Sequence, residues 1–472
     1  MEHKHMLSAV GGSLAQVAPG DREVDRFSGL PDNVAHHILS LINFRELTRL
    51  GCLSKRCRKL YLTAPSFRIY DDCGGNKKEQ LRLLNCIDRF LLLRGYNKMQ
   101  SVTFGWGFCS GISDEIYRMI TWMYIALRCN VEELEFQVRK GYAPETLELP
   151  PCVVRCGSLR SLVVEFPGFL ELPTYASFTS LQILELKHVR VDERFCQWMS
   201  SSSCKCIKDL RLYEVSADNI TIQSSSLESF SYVVHAYSTL CNLSISGEKL
   251  VHIQIEWGFY KPRSRSLYIS APNLKTLKWF GRVLNHQELG ELLCLEKAEI
   301  LLEHKEEYKF DNVTEILGSI SRTKALTLLE ETVKVLLSER SMPFTLNNVS
   351  FLTLHIGCLN DGIVPAMVSL LSGIANLNTL HISTHPSFFL DKPEACGFNK
   401  IYWESQNLAF VYQLKEKMVI YYLPHQSNLQ QRVKKCKMAS APTIIFRKKV
   451  GEAKLCRLDA CRYLTVLRND RL

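Results

Sequence analysis

The sequence predicts an α/β protein in which a module of three short helices is followed by an irregular solenoid with a parallel sheet. One observation is the helical spacing of apolar residues between Asp25 and Asp71. Another is an apolar-x-x-apolar-x-apolar unit that recurs about every 25 residues between positions 131 and 390. Composition is the third: the chain has 472 residues, 46% hydrophobic and 22% charged, as in ordinary globular proteins with a sizeable core.

The helical module is predicted from the start signals of its first helix. Pro31 suits a first helical turn, where its missing N–H removes no hydrogen bond, and Asp32 adds a charge that the helix dipole favours. Apolar residues at three- and four-residue steps continue this helix through Val34, Ile38, Leu41 and Ile42. Two more helices are predicted, from about Arg45 to Leu53 and from Lys55 to Leu60. Because so short a segment buries little core by itself, we expect it to complete its core against a partner.

The stretch LPDNVAHHILSLI, followed by LSKRCRKLY, resembles the F-box of plant proteins, whose pattern joins Leu-Pro, an Ile-Leu-Ser helix and Leu-Ser-Lys-Arg-Trp. The resemblance covers Asp25 to about Asp71. It departs from the pattern at Cys57, where the family has Trp, and in the loop 43–46, which lacks the usual Pro. The resemblance implies binding to the Skp-type adaptor of a cullin ubiquitin ligase. The residues expected to bind that adaptor are Leu30, Pro31, Val34, Ile38, Leu39, Leu50, Leu53, Ser54, Lys55 and Arg56.

The repeated unit governs the middle of the chain. It is cleanest in the units that begin at Val131, Leu159, Leu181, Ile207, Leu227, Leu250, Leu274, Val349 and Leu377. Less regular units begin at Leu295 and at Thr323. A period in the twenties with L-x-x-L-x-L is the signature of leucine-rich repeats, in which each unit supplies one short strand and stacked units bury a continuous core. An ordinary α/β domain is the alternative, but the number of units, their short spacing and the lack of a Gly-rich phosphate loop disfavour it.

The stretch Phe398–Tyr422 resembles the FBD region that follows the repeats in many plant F-box proteins. The resemblance lies in Tyr402-Trp403, in Leu414–Glu416 and in Met418–Ile420. Leu414–Glu416 abuts the next strand directly, so about one strand and one helix of the family pattern are missing. Pro442–Phe446 is a last strand candidate. The region is therefore interpreted as truncated.

The sequence thus divides into six segments. Residues 1–24 are expected to be a disordered leader, 25–71 the F-box, 72–130 a linker with the first solenoid elements, 131–390 the repeats, 391–446 the FBD-like region and 447–472 a basic tail. From Gln431 onward there are twelve Lys or Arg against three Asp or Glu, which accounts for nearly all of the net charge of +10. The tail is interpreted as solvated, with a nuclear-import patch as an alternative, and neither nucleic acid nor a membrane is an expected partner.

No pattern for catalysis, a cofactor or a metal is present. The chain lacks Gly-x-Ser-x-Gly, Walker, His-Glu-x-x-His and dinucleotide motifs, and its 18 cysteines include no Cys-x-x-Cys. Without a signal peptide the cysteines are interpreted as reduced thiols. Without an apolar run of membrane-spanning length, we expect a cytoplasmic or nuclear protein with no transmembrane helix.

The F-box and the repeats together predict a non-catalytic adaptor, the substrate-recognition subunit of a Skp–cullin–F-box ubiquitin ligase. Leucine-rich solenoids usually bind on the concave face, so the candidate target-binding residues are the intervening positions Arg160, Gln182, Glu185, Lys208, Arg211, Gln254 and Lys278. The alternative is a non-ligase interaction scaffold or a decayed paralogue, given Cys57 and the short C-terminal region. A small-molecule receptor would need a polar pocket in the concave face, which the sequence does not show.

Overall fold

The computed structural model describes residues 27–384, except for residue 28 and the stretches 72–75, 109–113, 140–144, 174–177, 202–203, 236–238, 259–263, 303–309, 336–344 and 357–361, and it adds strands at 417–422 and 444–448. The predicted leader, most of the FBD-like region and nearly all of the basic tail lie outside the described residues.

The described helices alternate with strands along most of the chain. The helices are α1 (Asp32–Leu41), α2 (Phe44–Gly51), α3 (Lys55–Thr63), α4 (Lys77–Arg94), α5 (Glu115–Arg128), α6 (Pro151–Val154), α7 (Glu193–Ser200), α8 (Phe310–Ser319), α9 (Glu330–Val335) and α10 (Val364–Ser372). Side chains cap two of the first three: Asn43 Oδ1 accepts from Glu46 N at 2.9 Å, and Ser54 Oγ accepts from Cys57 N at 3.0 Å. The three helices predicted for the N-terminal module are therefore present, each starting within two residues of its signal.

The strands are short, as the repeats predict. They are β1 (Ser66–Tyr70), β2 (Ser101–Gly107), β3 (Glu133–Arg139), β4 (Thr146–Glu148), β5 (Ser161–Glu165), β6 (Phe169–Glu171), β7 (Ile183–Lys187), β8 (Asp209–Tyr213), β9 (Asn219–Gln223), β10 (Ser229–Val234), β11 (Asn242–Ser246), β12 (His252–Trp257), β13 (Ser266–Ser270), β14 (Thr276–Gly281), β15 (His286–Leu289), β16 (Lys297–Leu302), β17 (Ala325–Leu329), β18 (Phe351–Ile356), β19 (Thr379–Thr384), β20 (Lys417–Tyr422) and β21 (Ile444–Lys448).

One large parallel sheet runs through the described chain. Its order is β1-β2-β3-β5-β7-β8-β10-β12-β14-β16-β17-β18-β19-β20-β21, with each strand parallel to its neighbours. The first, fourth and sixth residues of every predicted unit are buried, including Thr323 in the degenerate unit. Stacked units therefore bury one continuous core, and the predicted α/β fold with a leucine-rich-repeat solenoid is confirmed.

The sheet begins earlier in the chain than the repeat pattern predicts. Two further units, which begin at Ala64 and at Met99, supply β1 and β2. The repeat spacing does not single them out, because long helices, α4 and α5, form their return segments and stretch the spacing beyond the twenties, although the first solenoid elements were expected within residues 72–130. The segment predicted as the F-box, residues 25–71, therefore includes the first strand of the large sheet, since Ser66–Tyr70 pairs with β2.

Return segments differ along the solenoid. Helices return the chain in the first repeats and in the later ones, whereas β9, β11, β13 and β15 form a second, four-stranded parallel sheet behind the middle repeats. Helix α7 is the return segment between β7 and β8. The open side of the large sheet, opposite these return segments, is the side that could accept a protein partner.

The N-terminal helices share their core with the solenoid. The Phe90 ring of α4 lies 5.2 Å from the Phe44 ring, 4.7 Å from the Tyr61 ring and 5.1 Å from the Phe67 ring, measured between centroids. These contacts join α2, α3 and β1 around one aromatic side chain. Burial, the largest cause, raises the pKa of Tyr61 to about 12. The helical module is therefore built onto the first repeat.

Arg94, at the end of α4, closes the same junction. Its guanidinium is buried, donates to Leu62 O at 3.1 Å and to Lys98 O at 2.8 Å, and lies 5.7 Å from the centre of the Phe67 ring. Burial lowers its pKa to about 10. The Leu62 carbonyl belongs to the last turn of α3, so Arg94 satisfies a helix-terminal acceptor that would otherwise have no intrahelical partner.

Candidate protein-binding surfaces

The helices α1 to α3 leave several large apolar side chains in solvent. Leu53, in the turn before α3, is 76% exposed, and Leu41, at the end of α1, is 70% exposed. Val34 and Ile38 are also exposed and lie on α1 at the four- and three-residue steps that lead to Leu41. Single exposed leucines are ordinary, but several on one small module indicate a binding surface. We call Pro31, Val34, Ile38, Leu41 and Leu53 the F-box surface.

The other predicted adaptor-binding residues fall into three groups. Leu30 and Leu50 are half-buried at the edge of the F-box surface, and Lys55 is exposed. Ser54 and Arg56 serve the module itself: Ser54 caps α3, and Arg56 donates to the Leu30 carbonyl and lies 3.3 Å from Asp32 Oδ1. The Ser54 cap fixes the start of α3, and the two Arg56 contacts tie it to the start of α1.

Leu39 is the exception among the predicted adaptor-binding residues, because its side chain is wholly buried in the core. Helix α1 packs against α3 and β1, and Leu39 lies on the packed side together with Ala35. Leu41, which was not among the predicted site residues, takes its place on the exposed side. In the sequence, its spacing of three residues from Ile38 indicated that both lie on the same side of α1.

The open side of the large sheet carries a row of polar residues. Glu185, Arg211, Gln254 and Lys278 occupy the same register position on β7, β8, β12 and β14, with Ser231 of β10 between the two pairs. Within each strand, these residues alternate with residues whose side chains are buried on the other side of the sheet. The structure therefore brings four of the predicted target-binding residues into one line across the solenoid. We call this open side of the large sheet the open face, and the line of residues is its central row.

Charges on the open face are already paired within the chain. Arg211 lies 2.6 Å from Asp209 and 3.5 Å from Glu185, and its hydrogen bond to Asp209 is the main cause that raises the Arg211 pKa. Lys187 lies 2.9 Å from Glu185. Further along, Glu256 Oε1 accepts from Lys278 at 2.9 Å and from Gln254 at 2.8 Å. A partner would therefore meet fixed pairs of both signs, not a cluster of unpaired cations.

The three remaining predicted residues lie at the edge where the strands begin. Arg160, Gln182 and Lys208 precede β5, β7 and β8, and their backbones extend the ladder by one step, with Gln182 N donating to Arg160 O and Lys208 N to Gln182 O, both at 2.8 Å. Lys208 pairs with Glu228 at 2.9 Å. These side chains border the open face and are not part of its central row.

Aromatic residues that the repeat pattern did not single out lie at the opposite edge, where the strands end. The Tyr213 ring lies between His188 and His235, at centroid distances of 6.2 and 5.8 Å, and its hydroxyl is 3.3 Å from His235 Nε2. His188 and Glu214, which directly follow β7 and β8, have positive φ values of 57° and 51°. Such backbone is uncommon outside glycine and is enriched at functional sites. In the sequence, His188 and Glu214 each stand two residues after the last apolar residue of their unit, Leu186 and Leu212, and this position was the available signal.

Comparison with known proteins identifies both regions. The F-box domain model matches residues 27–60, which contain α1, α2 and the first six residues of α3. A second model, described as FBD-associated F-box protein At5g56370, LRR repeats, matches residues 119–304, from α5 to the end of β16. The chain is an F-box protein with leucine-rich repeats.

Relatives of this F-box protein come from Arabidopsis thaliana. The putative F-box/FBD/LRR-repeat protein At4g03220 is 25% identical over 82% of this chain and 79% of its own length. The putative FBD-associated F-box protein At5g56390 is 24% identical over 83% of each chain. The FBD-associated F-box protein At4g13985 is 28% identical, but the match covers only 47% of this chain and 50% of that protein.

Cys57, the departure from the F-box pattern, is buried in α3. Its backbone N–H donates the capping bond to Ser54, so the backbone at this position is held independently of the side chain. The substitution of Trp by Cys therefore removes volume beside the module's own core and does not remove a residue of the F-box surface.

The described part of the chain contains neither a cluster of metal ligands nor a membrane-spanning helix. There, no group of three or more His, Cys, Asp or Glu side chains converges as metal ligands would. No described helix combines the length and the apolar character that crossing a bilayer requires. A described cleft of about 490 Å³ lies between α5 and α6, on the side of the return helices.

Proposed function

We propose that this F-box protein is the substrate-recognition subunit of a Skp–cullin–F-box ubiquitin ligase. F-box domains generally bind Skp-type adaptors. The observation that supports this role here is the F-box surface, where Leu41 and Leu53 remain mostly exposed on a module whose core is otherwise complete. Burying each of these side chains against an adaptor would contribute about 1.5–3 kcal/mol.

The target protein would bind the open face of the solenoid. Glu185, Arg211, Gln254 and Lys278 supply directional polar contacts, and Tyr213 supplies an aromatic side chain of the kind that often dominates binding energy. Arg160, Gln182 and Lys208 would contact the target from the edge. The unidentified target would meet this surface in the cytoplasm or the nucleus.

The chain would act by positioning and would not perform the transfer itself. Holding a substrate near an activated partner raises the rate through proximity. The junction around Phe90 and Arg94 supports this, because it joins the F-box directly to the first repeat. A flexible linker between the two surfaces would hold the target less well.

Calorimetry of the full chain with a purified Skp-type adaptor tests the proposal. Phe90 and Arg94 lie beyond the F-box, so the isolated module would lack part of its core and the full chain is the proper material. We expect Leu53→Asp and Leu41→Asp each to weaken binding about a hundredfold or more without lowering the melting temperature. Leu293→Asp, at a leucine that is also exposed but lies among the repeats, is the matched control. Full binding by both F-box variants would contradict the assignment.

The non-ligase scaffold remains the competing function, and Cys57 is the observation that favours it. If the wild-type chain does not bind the adaptor and Cys57→Trp restores binding, the motif is present but impaired, and the scaffold function is supported. If the wild-type chain binds, Cys57 is tolerated because the F-box surface does not include it.

A further inference from the structure

A second exposed apolar surface lies on the helical side of the solenoid, where α4 and α5 end. Leu92 and Leu93 of α4 are exposed, as are Tyr96, just after it, and Tyr124 of α5. Arg128, at the end of α5, completes the group, and its guanidinium joins the two helix ends by contacts with both tyrosines. We call these five residues the α4–α5 surface. Tyr and Arg are among the side chains that most often dominate the binding energy of protein interfaces, and the exposed leucines add apolar area that a partner can bury.

The guanidinium of Arg128 is positioned by two tyrosine rings so that it suits an anion. Its guanidinium carbon lies 4.7 Å from the centre of the Tyr96 ring and 5.7 Å from that of Tyr124. No carboxylate in the described part of the chain lies within ion-pair distance of it, whereas the open-face cations Lys187, Arg211 and Lys278 are all paired. The two aromatic contacts hold the guanidinium between the helix ends, and its forked N–H groups suit a carboxylate.

The nearby carboxylates are already engaged. Asp88 accepts from Arg118 at 2.8 Å and from Trp122 Nε1 at 2.6 Å, and Glu132 pairs with Lys98 at 2.9 Å. Arg89, on the exposed side of α4, adds a second positive charge. The surface is therefore apolar and positive, which is complementary to an apolar and acidic partner.

A cleft gives the surface depth. It has a volume of about 490 Å³, and Tyr124 and Arg128 form one of its walls, opposite Cys152, Cys156 and Ser158. Its polar groups are mostly satisfied: Ser158 Oγ donates to Val131 O at 2.8 Å and lies 3.2 Å from Cys156 Sγ. The cleft is large enough for one side chain of a bound peptide, with Arg128 at its rim.

We propose that the α4–α5 surface binds a peptide segment of a partner protein that combines an acidic residue with large apolar ones. The acidic side chain would bind Arg128, an adjacent side chain would enter the cleft, and apolar neighbours would cover Leu92, Leu93 and Tyr96. This site is separate from the F-box surface and, being on the return helices, from the open face. It would give the protein a further partner, whatever the outcome of the adaptor experiment.

Selection from a phage-displayed random peptide library on the immobilised full chain tests the proposal, because the selection does not require the partner to be identified. We expect enriched peptides to carry Asp or Glu beside Leu, Ile or aromatic residues. By fluorescence polarisation, Arg128→Glu should weaken their binding at least about tenfold. Replacing the acidic residue of the peptide by its amide should weaken binding to the wild-type chain by a similar factor.

Arg322→Glu is the matched control, since it makes the same charge change at an exposed arginine among the later repeats, outside the α4–α5 surface, that has no aromatic contacts in the described structure. We expect it to weaken binding less than threefold or so, as a long-range charge effect. Adaptor binding, if present, should be unchanged in Arg128→Glu, which also shows that this variant folds. Peptides that lack acidic residues, that bind Arg128→Glu as well as wild type, or that fail to be enriched at all would each overturn the proposal.

Discussion

The F-box surface and the open face of the sheet present opposite kinds of chemistry to a partner. The F-box surface consists of five apolar residues, of which Leu41 and Leu53 are the most exposed, whereas the open face exposes Glu185, Arg211 and Lys278 in pairs that are already formed. Apolar burial provides affinity without much direction, and fixed polar pairs provide direction with little affinity. The first suits a constant partner, such as an adaptor, and the second suits selection among targets.

The comparison depends on the F-box being part of the same rigid unit, and Arg94→Ala tests this with the largest expected effect. The change removes the donors to Leu62 O and Lys98 O and leaves a cavity beside Phe67 and Phe90. We expect a loss of about 3 kcal/mol in the free energy of unfolding, measured by urea denaturation. Arg94→Met should lose less, because it restores volume without the donors.

Arg89→Met is the control for Arg94, since Arg89 lies on the exposed side of the same helix. Amide hydrogen exchange in α3 should rise in Arg94→Ala and stay unchanged in Arg89→Met. Equal exchange in wild type, Arg94→Ala and Arg89→Met would mean that the F-box is held independently of the first repeat.

Tyr61, in the same junction, predicts a pH dependence. Its pKa is raised to about 12 in the folded chain by burial, against about 10 when unfolded. The folded state therefore favours the neutral phenol, so the stability contributed by Tyr61 is complete below pH ~10 and is lost as pH rises toward 12, by at most about 2.7 kcal/mol. Tyr61→Phe should remove this loss.

The measurement is the difference between Tyr61→Phe and wild type in urea midpoints across that pH range. The difference is needed because Arg94, whose pKa burial lowers to about 10, changes stability in the opposite direction over the same range. Tyr213→Phe, at a half-buried tyrosine of the open face, is the control. Parallel curves for Tyr61→Phe and wild type would show that the junction admits water.

Within the repeats, Thr323→Val is expected to stabilise the protein. Thr323 is wholly buried at the position that other units fill with an apolar residue, and in the described structure its hydroxyl has no hydrogen-bond partner. Replacing it with an isosteric apolar side chain should add about 1 kcal/mol to the free energy of unfolding. Thr327→Val, on the open side of β17, should change it little. A loss of stability in Thr323→Val would show that the hydroxyl is bonded.

Sequence reasoning predicted the solenoid well because its core follows directly from the repeated spacing. It predicted less well which side of a helix is buried, because spacing shows which residues share a side but not which side packs against the core. Leu39 and Leu41 show this: both fit the helical pattern of α1, but only the docking of α1 on α3 and β1 decides that Leu39 is buried and Leu41 exposed. The contacts of Arg94 were not predictable, since they join residues far apart in the chain.

Arg211→Ala has the smallest expected effect on stability and bears most directly on the open face. Arg211 is half-exposed, and Lys187 would still pair with Glu185 at 2.9 Å after its removal, so only Asp209 would lose its cation. We expect the free energy of unfolding to fall by less than about 1 kcal/mol, and by less still in high salt. Adaptor affinity should be unchanged. A loss as large as that of Arg94→Ala would mean that the charge pairs hold the solenoid together, and the open face would then be a structural network and not a surface kept for a target.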